Sequence, residues 1–180
     1  NMGCPRIDIV KEIMNKKKKF NLDYLNKEGV GDKINFNKNF IILSQHPVTT
    51  EYGDAFDQIT VTLNAISSLD FQTIILWPNP DAGSDDIAKG IRRFRENNSL
   101  KKIRFIKNVP LETYIILMSK TKCLVGNSSS GIREGAYIGT PVVNIGSRQN
   151  NRARGKNVLD VKHNIKEISN AIKKQVKHGF

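Results

Sequence analysis

From residue 40 onward, short runs rich in Ile and Val alternate with stretches whose apolar residues recur at steps of three and four. That alternation constrains the fold more than any other feature. A short, fully apolar run suits a strand buried on both faces, and the amphipathic stretch behind it supplies the crossover helix that parallel neighbours need. Strands are predicted over 40–46, 73–79, 103–108, 123–127, 141–145 and 157–161. Between the first two, Phe56, Ile59, Leu63 and Ile66 trace one helical face behind Asp54 as N-cap. Ser84 is expected to cap the next helix, with Asp85 and Asp86 in its first turn and Ile87, Ile91 and Phe94 turned inward. Pro110 should open a third, where its missing N–H costs nothing. Ile165, Ile168, Ile172 and Val176 mark a closing helix over 164–176. The predicted class is α/β, a parallel sheet flanked by helices, and 180 residues hold one such domain. It is assigned to residues 40–180. Residues 1–39 form an N-terminal appendage: a helix-like stretch at 7–14, a Lys run at 16–19, a second short stretch at 22–25, and a loop of Gly, Asn and Lys.

Composition excludes several classes. Hydrophobic residues at 38% and charged residues at 26% fit a globular chain rather than a disordered one. No apolar run approaches the roughly 18 residues of a membrane span, and the first six residues lack a basic-then-apolar signal. The expected location is cytoplasmic, with no membrane partner. Cys4 and Cys123 allow at most one bridge, and Cys123 lies in an apolar run, where a reduced buried thiol is expected. No spacing suits a metal. The formal charge is +12, and its excess lies in the second half: residues 1–100 carry 13 basic and 13 acidic side chains, residues 101–180 carry 16 and 4. An anionic partner is implied, whether nucleic acid, an acidic membrane surface or a phosphate-bearing small molecule. Aromatic residues are not interleaved with the basic ones as strand stacking requires, and the lysines at 16–19 and at the C-terminus read as solvated faces. A basic nucleic-acid-binding domain is therefore the weaker alternative.

The strongest local signal is Gly126-Asn127-Ser128-Ser129-Ser130-Gly131-Ile132-Arg133-Glu134-Gly135, directly after an apolar strand and opening a short helix. Successive small residues let the backbone turn tightly and aim N–H groups and hydroxyls at an anion. It is neither a Walker A loop, since Gly131 is followed by Ile132-Arg133, nor a dinucleotide fingerprint. Glu134, one turn into the helix, suits either a ribose diol or the helix dipole. His46 is predicted to end the first strand before Pro47, and Asn79 to end the second between Pro78 and Pro80. Both then face the carboxyl edge of the sheet, where α/β folds bind ligands. Arg148, after the fifth strand, offers a fork for phosphate oxygens. Neither a Ser-His-Asp set nor a carboxylate pair emerges, so the pattern speaks more for anion binding than for catalysis.

Four blocks together carry a resemblance: His46-Pro47-Val48-Thr49-Thr50, Pro78-Asn79-Pro80-Asp81-Ala82-Gly83-Ser84, the Gly126 to Glu134 block, and Gly139-Thr140-Pro141-Val142-Val143-Asn144-Ile145-Gly146-Ser147-Arg148-Gln149. In order and spacing, over about residues 3 to 165, they resemble the hydrolysing UDP-N-acetylglucosamine 2-epimerases of sialic and nonulosonic acid biosynthesis. The resemblance implies a Rossmann-like parallel sheet flanked by helices, the C-terminal half of a glycosyltransferase-B-like two-domain fold. Its beginning, Gly3-Cys4-Pro5-Arg6-Ile7-Asp8, resembles the family's interdomain crossover segment. The implied partners are UDP, UDP-N-acetylglucosamine and the missing N-terminal domain, and a homo-oligomer is allowed. The implied reaction eliminates UDP through a glycal and adds water to give N-acetylmannosamine, with no cofactor. Carried over by motif, His46 is the catalytic candidate. Asn79 lines the cleft, Ser128 and Ser129 bind phosphate, Glu134 holds the ribose hydroxyls, Val109 contacts the base through its backbone, and Arg148 completes the pocket. The family's acid/base carboxylates lie mainly in the other domain, so this chain alone is expected to be inactive. Two further alternatives are an epimerase for a related UDP- or GDP-linked N-acetylated sugar and a glycosyltransferase half-domain.

Overall fold

Each of the six Ile- and Val-rich runs becomes a strand, because apolar side chains alternating to both faces can be buried only between two layers of helix. The structure is a computed structural model that describes residues 4–16, 21–98 and 101–178. Gly3 and the lysines at 17–19 lie outside the described residues. The first strand in the chain, β1 (Val30–Gly31), falls in the segment before residue 40 and is not among the predicted ones. Then follow β2 (Phe40–Ser44), β3 (Gln72–Leu76), β4 (Ile103–Ile106), β5 (Cys123–Gly126), β6 (Val142–Ile145) and β7 (Val158–Val161). The helices are α1 (Pro5–Asn15), α2 (Leu25–Glu28), α3 (Ala55–Ser67), α4 (Ser84–Asn97), α5 (Leu111–Lys120), α6 (Ser129–Ile132), α7 (Glu134–Ile138) and α8 (Ile165–His178).

Several boundaries differ from expectation. β2 and β3 stop at Ser44 and Leu76, so His46 and Asn79 stand in the loops just beyond the strands rather than at their last positions. Pairing ends where the neighbouring strands end, and the prolines that follow cannot donate to a ladder. Asp54 holds the N-cap place of α3 without a side-chain bond, and the cap of α4 is Gly83, at φ 85°, instead of Ser84. Pro110 is the N-cap of α5 rather than its first helical residue. The closing helix does have a working cap: the Asn164 side chain accepts from the N–H groups of Lys166 and Glu167, at 2.9 and 3.1 Å.

The sheet order is β1-β4-β3-β2-β5-β6-β7, parallel throughout except for β1, which pairs antiparallel with β4. From β4 to β7 this is the doubly wound order of a Rossmann-like fold, with β2 at its centre. On one face Ile41, Leu43, Ile75, Val125 and Val143 pack against Ile59 and Leu63 of α3, Ile87 and Ile91 of α4, and Ile168 and Ile172 of α8. On the other, Phe40, Ile42, Ile74, Ile106 and Leu124 meet Leu117 and Met118 of α5, together with Leu22, Leu25 and Ile34 from the N-terminal segment. Val10 and Ile13 of α1 pack on Ile115 of α5. Buried Arg104 ties the edge together by donating to the carbonyls of Asn26, Gly29 and Gly31. Strands are added to one side of β2 as far as β4 and to its other side from β5 onward, and at this switch point the carboxyl ends of β2 and β5 open the crevice where such sheets hold ligands.

Candidate functional site

The site is built where β2 and β5 end side by side. The last paired residues are Ser44 and Gly126. Gly126 has φ 122°, and a Cβ there would stand 2.2 Å from the Ser44 carbonyl oxygen, so only glycine lets the two strands close up and the chain leave β5 at this angle. The small-residue block then turns into α6. Ser128 caps it, with its Oγ accepting from the Ser130 N–H at 3.4 Å and sharing a hydrogen bond with Ser130 Oγ at 2.8 Å. The Tyr114 hydroxyl, on α5, continues the chain to Ser130 Oγ at 2.6 Å. Burial pushes the Tyr114 phenol above its ordinary range, so it remains a hydroxyl. These bonds set the Ser128–Ser130 hydroxyls around the mouth of the crevice.

A cavity of about 370 Å³ opens there. It brings together His46, Asn79, Val109, Ser128 and Ser129, five of the residues singled out by the sequence, from four different loops. His46 is nearly buried, at 6% exposure, with Nε2 3.4 Å from Ser44 Oγ. Burial, reinforced by the Arg148 guanidinium and opposed by Asp81, pushes its pKa down to about 4. The ring is therefore neutral at physiological pH and can accept a proton or hydrogen bond from a ligand. Glu134 does not line the cavity itself. Its carboxylate is 3% exposed and lies behind two residues that do line it, with Arg6 Nη1 at 3.3 Å and Arg133 Nε at 3.6 Å. Arg148 is also set apart. It lines an adjoining hollow of about 480 Å³ with Thr49, Thr50 and Ser147, its fork 3.5 Å from Asp81 and 3.3 Å from the Asn127 carbonyl.

Several wall residues had no role in the sequence reading. Arg6, Lys107 and Arg133 bring cationic groups to the cavity, and Tyr114 and Ser44 bring hydroxyls. Arg6 and Arg133 stand in motifs already recognised, but their direction depends on tertiary packing. Tyr114 sits among apolar residues of α5 and carries no local signal. Two carboxylates near the adjoining hollow, Asp81 and Glu51, are both engaged, Asp81 by Arg148 and Glu51 by Gln58 and Ser147. Among the described residues no group of three or more His, Cys, Asp or Glu side chains could hold a metal ion, and no helix is long and apolar enough to cross a membrane. Cys123 is a buried free thiol, which burial pushes up to about 12, and it takes no part in the site.

Fold and site together define a Rossmann-like α/β domain of the glycosyltransferase-B-like kind, with a hydroxyl-lined, cation-walled cavity at its topological switch point. The chain belongs to the UDP-N-acetylglucosamine 2-epimerase family, whose model matches residues 1–179. It is 33% identical over 143 residues to the UDP-N-acetylglucosamine 2-epimerase of Neisseria meningitidis serogroup B, covering 79% of this chain and 37% of that protein. It is 36% identical over 124 residues to the UDP-N,N'-diacetylbacillosamine 2-epimerase (hydrolyzing) of Legionella pneumophila, covering 69% and 32%. The chain thus spans only about a third of the length of these relatives. The S. aureus MnaA–UDP co-structure shares the fold at TM-score 0.65 and 13% identity, over 97% of this chain and 43% of that one.

Proposed function

We propose that this chain is the nucleotide-binding part of a hydrolysing UDP-N-acetylglucosamine 2-epimerase, which turns UDP-N-acetylglucosamine and water into N-acetylmannosamine and UDP. The observation that carries this reading is the convergence of His46, Asn79, Ser128 and Ser129 on one cavity walled by Arg6, Lys107 and Arg133. A diphosphate needs such a set: hydroxyls and cations for its oxygens, in a crevice that sheds water. In this reading Ser128 and Ser129 hold phosphate oxygens, and the Val109 backbone meets the base. Asn79 faces the sugar side, and Arg148 closes the polar wall beyond Asp81. Glu134 takes the ribose hydroxyls once Arg6 swings from its carboxylate to the ligand.

The reaction removes the proton on C2 of the sugar as the C1–oxygen bond to UDP breaks, and then adds water across the resulting double bond with inversion at C2. His46 is the catalytic residue on this chain. Its neutral ring keeps one N–H, which donates to a diphosphate oxygen, and that hydrogen bond strengthens as negative charge develops there, easing departure of UDP with no net proton transfer. The base that takes the C2 proton is not supplied here, since no carboxylate lines the cavity among the described residues. The stretch through α1 serves as the crossover from a further domain that brings it. The 180-residue chain alone should therefore release no UDP from UDP-N-acetylglucosamine above a protein-free control; release at the rate of a full-length relative overturns this assignment. A second reading, a related N-acetylated sugar as substrate, draws on the Legionella relative named for UDP-N,N'-diacetylbacillosamine.

The decisive test is an NMR titration of the isotope-labelled chain with UDP and with GDP. Saturable shifts at the amides of residues 128–134 and Val109, larger with UDP, support the reading. No response to either nucleotide at millimolar concentration refutes it.

A further inference from the structure

We propose that Asn127 is the positioning residue for His46: its side-chain amide takes the place of a missing strand and locks His46 to the loop that receives the anion. The ladder between β2 and β5 ends at the Ser44–Gly126 pair, because Gly126 turns the second chain away. His46 therefore has no backbone neighbour on that side. It precedes Pro47, which favours an extended conformation, and an extended residue presents its N–H and C=O on the same side. Asn127 meets both groups at once. The His46 N–H donates to Asn127 Oδ1 at 2.7 Å, and Asn127 Nδ2 donates to the His46 carbonyl at 2.8 Å.

The rest of Asn127 is equally committed. Its own N–H donates to the Ser44 carbonyl at 3.2 Å, and its carbonyl accepts from Gln149 Nε2 at 2.7 Å and Arg148 Nη1 at 3.3 Å. The residue has 0% exposure, so these contacts are not shared with bulk solvent. Three strand ends are thereby joined at one residue: β2 through the Asn127 side chain on His46, β5 through Asn127 itself, and β6 through Arg148 and Gln149 on the Asn127 carbonyl. Asn fits for a chemical reason. Asp lacks the donor, Ser and Ala lack the reach, and Gln is one methylene longer. Because Ser128 follows directly, the imidazole and the Ser128–Ser129 hydroxyls are held in one rigid relation. This inference rests on the reading of His46 as the group at the reacting end of the ligand, but the clamp itself can be tested without any ligand.

The test compares the wild-type chain with N127A by NMR, recording amide exchange and the imidazole titration of His46. Loss of both clamp bonds should speed exchange of the His46 amide by about tenfold or more, while Ile42 and Leu124 amides keep their protection. The freed ring should titrate closer to the ordinary 6.5 than to the wild-type value of about 4. N127S, which leaves a polar group for a water molecule, carries the same two readouts if N127A does not fold. An Asn127 that merely stabilised the fold would lower the melting temperature yet leave the exchange and titration of His46 as they were, and that result overturns the proposal. A separate arm adds UDP to the wild type. A His46 ring that ignores UDP counts against the functional reading, whereas the ligand-free results decide the clamp.

Discussion

His46, the catalytic residue of the proposed function, is also the histidine whose titration the fold shifts most. Burial keeps its ring neutral, so between pH 6.5 and about pH 4 the unfolded chain binds a proton that the folded chain refuses. Stability should accordingly fall as pH drops through that window, by about 3 kcal/mol in full below it. Burial also lowers the pKa of His163, which adds a loss of the same sign, so the measurement is a difference: urea unfolding from pH 4 to 7 for wild type and H46N, with the His46 share absent from the variant. A bound diphosphate should act in the opposite direction, raising the ring's pKa toward or above its ordinary value, which the imidazole nitrogen shifts report directly. Ser128 offers a second check. Ser128→Ala removes the cap of α6 and, on the proposed function, one ligand for phosphate, and should weaken UDP binding about tenfold by calorimetry, with a stability loss of about 1 kcal/mol. That these residues meet at one cavity was legible because motif chemistry is local: strand ends and a turn of small hydroxyl residues are visible in neighbouring positions. The recesses of Glu134 and Arg148 were not, because their distance from the cavity is set by Arg6 and Asp81, which lie 128 and 67 positions away in the chain.

At the scale of elements, alternation of apolar runs with helical periods placed six strands, three main helices between them and a fourth after the last. Their ends were less secure. Capping depends on backbone angles, and Gly83 at φ 85° took the place expected of Ser84. β1 escaped notice because two residues, Val30 and Gly31, carry no periodicity. It exists through its pairing with β4 and through Arg104, a cation that looks like an exposed strand residue in sequence yet is 6% exposed. Arg104→Met should therefore leave three carbonyls short of a donor and cost about 3 kcal/mol in denaturant unfolding, a large loss for an edge position. Gly126→Ala tests the crowded junction where β5 ends. Its positive φ and the approach to the Ser44 carbonyl should cost at least about 2 kcal/mol and disturb the Ser128–Ser130 amide signals, whereas Gly53, which shares a positive φ but whose Cβ would meet nothing within 4 Å, should lose only the backbone part.

For the molecule as a whole, part of the second-half charge excess gathers as Lys107 and Arg133 around one cavity, joined there by Arg6, which argues for a small anion over a long one. UDP affinity should fall by less than about tenfold between 50 and 200 mM salt, in contrast to the thousandfold or greater loss of a protein bound along many phosphates. The amino-acid sequence by itself determined the α/β class, the strands that matter and the small, hydroxyl-rich character of the loop after β5, because periodicity and small-residue turns are written in neighbouring residues. Which strands lie side by side was decided only by the tertiary structure. β2 and β5 are more than seventy residues apart in sequence, yet their adjacency makes the switch point, brings Asn127 onto the backbone of His46 and gathers four loops around one cavity. No local pattern encodes that adjacency. It follows from how two layers of helix must cover both faces of a twisted sheet, a condition that the chain meets only as a whole.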